Sequence, residues 1–311
     1  MRAAITVAVF LSISGAARAT EGHEHEAPLP STSVTAGARP VSRGSGTRLV
    51  WEPAWRRFGL SDGVVTVAGT ALGLGALAWG PDEDEPRRGR VGFDEAVRDA
   101  LRSDDYDARR TWRDVSDVLV TVNLLYPFVG DALVNAAWYR DSPDVAWQLT
   151  LLNVEAFALT FGIHQTVASL VSRERPYGRT CGTSDLSETN RDCEESDRYR
   201  SFFSSHTAMA FTGAAVTCTH HAYVPLHGGR GEWIPCAAGL VIAAGTGVAR
   251  IGADFHYATD VLTGALTGSL VGWLVPWLHY TTGTMPGQAS VGAVRLTLAP
   301  VPGGLGVTGV Y

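Results

Sequence analysis

The chain is 311 residues long, carries 25 Lys and Arg against 31 Asp and Glu for a net charge of −6, and is 45% hydrophobic. That apolar content excludes a disordered polyelectrolyte, and an acidic balance with no basic, aromatic-interleaved patch excludes a nucleic-acid-binding module. The sequence contains no lysine, so every basic side chain other than histidine is an arginine.

The first elements in chain order concern export. Met1-Arg2, the apolar stretch Ala3 to Ser14 and the small-residue run Ala17-Arg18-Ala19 form the three parts of a secretory leader, with cleavage expected after Ala19. The expected division is a signal peptide over 1–19, a disordered Pro-, Ser-, Gly- and Thr-rich linker over 20–48, a helical domain over 49–282 and a tail over 283–311. His23 and His25 in the linker are a weak chelating pair at most, and a solvated tail accounts for them.

Apolar segments at 63–79, 115–138, 146–171, 207–224, 236–249 and 258–280, separated by Gly, Pro and charge, predict an all-α fold: a bundle of about six long helices. Asp82 to Asp114, rich in both signs of charge, reads as a surface segment with a short amphipathic helix. The tail reads as a short C-terminal β-hairpin around a Gly-rich turn.

The segment 258–280 is long and apolar enough to cross a bilayer, with Trp273, Trp277, His279 and Tyr280 placed for an interface. Others carry Asp131, Asn153, Glu155 or His164, which are costly in lipid unless turned inward. A cleaved leader puts the mature N-terminus outside, and three crossings would then place the cysteine-bearing loop after residue 171 inside. The expectation is therefore a membrane-associated protein of the cell envelope, periplasmic or with its site on the outer side.

Four cysteines acquire meaning from export, because thiols there oxidise. Cys181 and Cys193 flank one polar loop, and Cys218 and Cys236 flank another. Three connectivities are open, and the loop placement favours the two local pairs. None of the cysteines has a paired metal-ligand spacing, so no metal site is expected of them.

Three short segments carry the chemistry. They are Arg173-Glu174-Arg175-Pro176, Ser204-Ser205-His206-Thr207, and Ala249-Arg250 followed by five residues, His256, three residues and Asp260. Singly, each has an ordinary explanation: a surface arginine before a proline, a helix N-cap, a histidine and carboxylate one helical turn apart. Together they supply cations for phosphoryl oxygens, a nucleophile, a group to orient it and an acid for the leaving oxygen. Ser204 or Ser205, just before the apolar run Ala208 to Val216, is placed to cap a helix whose free N–H groups favour an anion.

The order and spacing resemble the type-2 phosphatidic acid phosphatase and vanadium haloperoxidase superfamily over roughly residues 115 to 280. Its pattern runs Lys, six residues, Arg-Pro; then Pro-Ser-Gly-His; then Ser-Arg, five residues, His, three residues, Asp. The departures are Ala168 at the Lys position, Phe203 for Pro, Ser205 for Gly and Ala249 for Ser. The resemblance implies that His256 is the nucleophile forming a phosphohistidine, that Asp260 fixes its tautomer, and that His206 protonates the leaving oxygen. It also implies that Arg175, Arg250, Ser204 and backbone N–H groups near Ser205 hold the phosphoryl oxygens, with neither metal nor organic cofactor. Arg173 or Arg179 is the expected substitute for the missing cation. The implied substrate is a phosphate monoester or pyrophosphate, a phosphorylated lipid or a small ester. A vanadium-dependent haloperoxidase, with His256 as vanadate ligand, and a non-catalytic envelope scaffold weakened by Ala168 and Ser205 are the two other readings.

Overall fold

The computed structural model describes residues 47–282, apart from 85, 88, 90, 188, 189 and 195, and the backbone of 288–291, 294–301 and 304–310. The expected signal peptide and, but for residues 47 and 48, the expected linker lie outside the described residues. Of the expected C-terminal hairpin only backbone pairing is described: Gln288–Val291 runs antiparallel to Val294–Val301, which runs antiparallel to Gly304–Val310.

The rest is helical. The elements are α1 (Leu60–Trp79), α2 (Asp94–Leu101), α3 (Tyr106–Tyr126), α4 (Pro143–Val171), the single turn α5 (Arg191–Glu194), α6 (Ser205–Tyr223), α7 (Trp233–Gly252) and α8 (Ala258–Thr281). Helix α3 begins well before its apolar stretch, because Asp105 caps it by accepting from the Ala108 N–H at 2.8 Å. The charged residues 106–114, read from sequence as surface connection, are therefore its first turns, and only α2 answers to the short amphipathic helix. Pro127 has no N–H to continue the ladder, and α3 passes there into a π-helical stretch, Pro127–Tyr139, closed by the Arg140 N–H on the Asn135 carbonyl at 2.9 Å.

The bundle turns its polar helix side chains inward and carries apolar ones on its exterior. Asp131, Asn153, Glu155 and His164 are all buried, whereas Leu60, Val67, Trp79, Trp138 and Val241 are each at least 66% exposed. Some of these inward groups are paired: the Asn153 side chain donates to the Pro127 carbonyl at 3.0 Å, and His220 bridges Asn153 and the Tyr280 hydroxyl. Among the described residues five helical stretches are long and apolar enough to cross a membrane: Leu60–Trp79, Tyr106–Tyr139, Pro143–Val171, Trp233–Gly252 and Ala258–Thr281. Such a surface is the one a bilayer, not water, leaves unpenalised.

Helix α6 lies at the centre and α8 packs directly on it through a glycine stripe. A Cβ at Gly264 would stand 2.6 Å from the Ser204 carbonyl oxygen, and at Gly268 and Gly272 it would collide with the carbonyls of Ala208 and Thr212. Only glycine permits that approach, and it brings the start of α8 against the start of α6. The large apolar core, with Trp51, Leu149, Leu152, Leu226 and Tyr280, sits at the opposite end of the bundle. What gathers at the first end is polar: the start of α3, the loop after α4, the start of α6 and the loop Ala253–Tyr257 between α7 and α8.

Candidate active site

His256 belongs to that last loop and is 1% exposed. Its Nδ1 lies 2.7 Å from the Ser201 carbonyl oxygen, which can only accept, so Nδ1 carries the proton. Nε2 is left with a lone pair, 3.4 Å from Arg175 Nη1. Burial, then the neighbouring charges of Arg175 and Arg250, hold the His256 pKa well below its ordinary value, so the ring is neutral.

Asp260 does not bond the imidazole. Its Oδ2 is 3.8 Å from His256 Nδ1, and the hydrogen bonds it accepts come from the Ser201 hydroxyl at 2.6 Å, the Tyr257 N–H at 2.9 Å and Arg173 Nη1 at 2.5 Å. The helical spacing expected of His256 and Asp260 fails because α8 starts at Ala258, leaving His256 outside the helix and Asp260 occupied in capping it. Asp260 is joined to His256 through Ser201, whose hydroxyl donates to Asp260 and whose carbonyl accepts from the ring.

Arg175 follows α4 in extended backbone and also donates to Asp197, from Nε to its carbonyl and from Nη2 to its carboxylate, each at 2.8 Å. Arg250, near the end of α7, is 3% exposed; it donates to the Ser116 hydroxyl at 3.3 Å and faces Asp117 at 3.6 Å, while its Nε has no hydrogen-bond partner among the described residues. His206 pairs through Nε2 with Asp117 Oδ1 at 2.9 Å, and its Nδ1 is 3.4 Å from the Ser205 hydroxyl. Ser204 is the cap of α6: its hydroxyl accepts from the Thr207 hydroxyl at 2.9 Å and is fully buried. A cavity of about 440 Å³ opens in front, lined among others by His206, Arg250, Phe255, Tyr177 and Asp117. His256 and Arg175 lie behind that lining.

The two expected substitute cations are engaged elsewhere. Arg173 is buried, bridging Asp94 at 2.7 Å and Asp260 at 2.5 Å; burial alone would lower its pKa, but Asp260 and Asp94 outweigh burial and raise it. Arg179 pairs with Glu95 at 2.6 Å, away from the cavity. Each is a structural brace, because carboxylates of the fold already pair with its guanidinium. Ala168 is fully buried in α4.

Sequence reasoning missed Ser201, Asp117 and Ser116. Ser201 contributes a main-chain oxygen, for which side-chain type gives no signal. Ser116 and Asp117 sit on α3, before the first motif, and their only signal was a polar face at helical spacing in an otherwise apolar segment. The disulfides join Cys181 to Cys193 and Cys218 to Cys236, the two local pairs; the first closes the loop leading to Asp192 and Asp197.

Fold and site together define a helical membrane-type bundle with an arginine and histidine site at one end. The model of the PAP2 superfamily matches residues 149–283, the stretch that contains Arg175, Ser204, His206, Arg250, His256 and Asp260. A crystal structure of a transmembrane PAP2-type phosphatidylglycerolphosphate phosphatase from Bacillus subtilis is similar over 70% of this chain and 94% of that one, with a TM-score of 0.44 and 18% identity. No curated protein matches the chain.

Proposed function

We propose that the protein is a phosphatase of phosphate monoesters or pyrophosphates, with a phosphorylated lipid as the substrate class. The observation that carries this reading is the His256 tautomer: Nδ1–H is bound by the Ser201 carbonyl, so the basic Nε2 points at the Arg175 guanidinium. Nε2 would attack phosphorus in line, forming a P–N bond as the ester P–O bond breaks. His206 would give its proton to the departing alkoxide, and Asp117 would stabilise the imidazolium before and after. In the second step His206 takes a proton from water, which attacks phosphorus, breaks the P–N bond and releases phosphate. Arg175 and Arg250 would hold the equatorial oxygens.

Lipid enters the proposal through the apolar exterior, and a membrane location accompanies it. The loop closed by Cys181–Cys193 lies at the site end, which favours that end facing the oxidising side. Three long helices precede this loop, so an outward site end requires α1 to start on the inner side. The linker, helical domain and tail stand as part of the same proposal, whereas a cleaved leader over 1–19 would put the mature N-terminus outside and conflicts with an α1 that starts on the inner side.

Purified full-length protein in detergent, assayed on phosphatidate, a lipid pyrophosphate and para-nitrophenyl phosphate, is expected to turn over at least one and to trap an acid-labile phosphohistidine. His256→Ala should abolish both. Full turnover in His256→Ala refutes the mechanism, and an inert wild type favours the scaffold reading.

A further inference from the structure

The family pattern has one more cation than this chain supplies at Ala168, Arg173 or Arg179, and helix α3 provides a candidate outside all three motifs. Arg113 lines the same cavity as His206, Arg250 and Phe255. The Phe255 ring, adjacent in sequence to His256, is approached by three guanidinium carbons: Arg250 at 4.6 Å, Arg175 at 5.0 Å and Arg113 at 5.5 Å from its centroid. Cations gather on the face of an aromatic ring, and here the ring fixes three of them around one space.

Each of the three also faces one carboxylate that lines the cavity. Arg175 pairs with Asp197 at 2.8 Å, Arg250 faces Asp117 at 3.6 Å, and Arg113 pairs with Asp192 at 3.5 Å. The Arg113 pair is long and its side chain 42% exposed, so it holds little energy and exchanges readily for a better anion. The same face of α3 carries Ser116 and Asp117, three and four residues on, which already engage Arg250 and His206.

We infer that Arg113 is the third cation of the phosphate site, supplied by α3 in place of the lysine missing at position 168. The inference rests on the phosphatase reading, and its ligand is the phosphoryl group itself, whether on a lipid or as inorganic phosphate. On binding, the phosphoryl oxygens displace Asp192 from Arg113, as they displace Asp197 from Arg175.

The test uses full-length protein in detergent, with inorganic phosphate binding measured by calorimetry and para-nitrophenyl phosphate turnover measured alongside. Arg113→Ala is expected to weaken phosphate binding and kcat/KM by about tenfold to a hundredfold, less than the ~10²–10³ of a fully buried oxyanion donor because Arg113 is part-exposed. Arg113→Lys should recover most of the binding. Asp192→Asn removes a competing carboxylate and should leave binding unchanged or tighter. An Arg113→Ala variant within twofold of wild type in phosphate binding overturns the inference, as does an Asp192→Asn loss equal to that of Arg113→Ala, which would mean that the pair only braces a loop. A wild type that binds phosphate without turnover defeats the phosphatase reading but still decides Arg113 by binding; one that binds no phosphate overturns both.

Discussion

Ser201 makes the strongest demand on the proposed mechanism, because its hydroxyl binds Asp260 while its carbonyl binds the nucleophile. Ser201→Ala deletes the 2.6 Å hydroxyl bond to Asp260 but keeps the carbonyl that accepts from His256, itself anchored by the Ser201 N–H on the Arg173 carbonyl at 2.9 Å. A hydrogen bond to a charged group contributes about 1.5–3 kcal/mol. If half or more of that orients His256 in the transition state, the rate of phosphohistidine formation falls roughly threefold to a hundredfold, at about 1.4 kcal/mol per tenfold. Asp260→Asn should cost more, since it also loosens Arg173. The double variant separates the routes. With Asp260 acting through Ser201, Ser201→Ala adds little once Asp260 is Asn, so the two losses are strongly non-additive. The assay is single-turnover phosphoenzyme formation, with melting temperature as a control for folding. Full additivity, or an inert Ser201→Ala change, would refute the relay and return the role to direct contact across 3.8 Å.

Two further outcomes are expected. The His256 pKa is depressed in the fold, so the unfolded chain binds more protons below its ordinary value near 6.5; stability is full above that pH and is lost as pH falls through the window below it. The melting temperature should therefore drop between about pH 7 and pH 5, and His256→Gln should flatten that slope, with an unchanged slope counting against a buried neutral ring. Removing the Cys181–Cys193 bridge, a separation of 12 residues, should cost about 3 kcal/mol by loop closure, as read by thermal unfolding.

Apolar periodicity was legible wherever it coincided with the length of a crossing helix, and it located the long segments to within a few residues except at α3. There the charged first turns obeyed a cap, Asp105, rather than a hydrophobic pattern, and those turns bring Arg113 to the cavity. The same limitation applies to Asp131, Asn153, Glu155 and His164. Their types announced a cost in lipid, and only the packing shows them turned inward.

At the site, residue type and spacing named Arg175, Ser204, His206, Arg250, His256 and Asp260, which the fold gathers at one end of the bundle. What spacing could not convey was which group holds which. His256 and Asp260 are four apart, yet a helix start falls between them, so the contact passes to a main-chain carbonyl that no side-chain pattern encodes. Arg173 and Arg179 are close to Arg175 in sequence, yet Asp94, Asp260 and Glu95 claim them first. A cation is free for a ligand where its own carboxylate is held at long distance, as Asp192 is, or is itself exposed, as Asp197 is, and that is a property of burial and distance. Arg113, remote in sequence, meets the condition because its partner Asp192 is long and lies on the cavity wall; the buried Arg173, closer in sequence, does not.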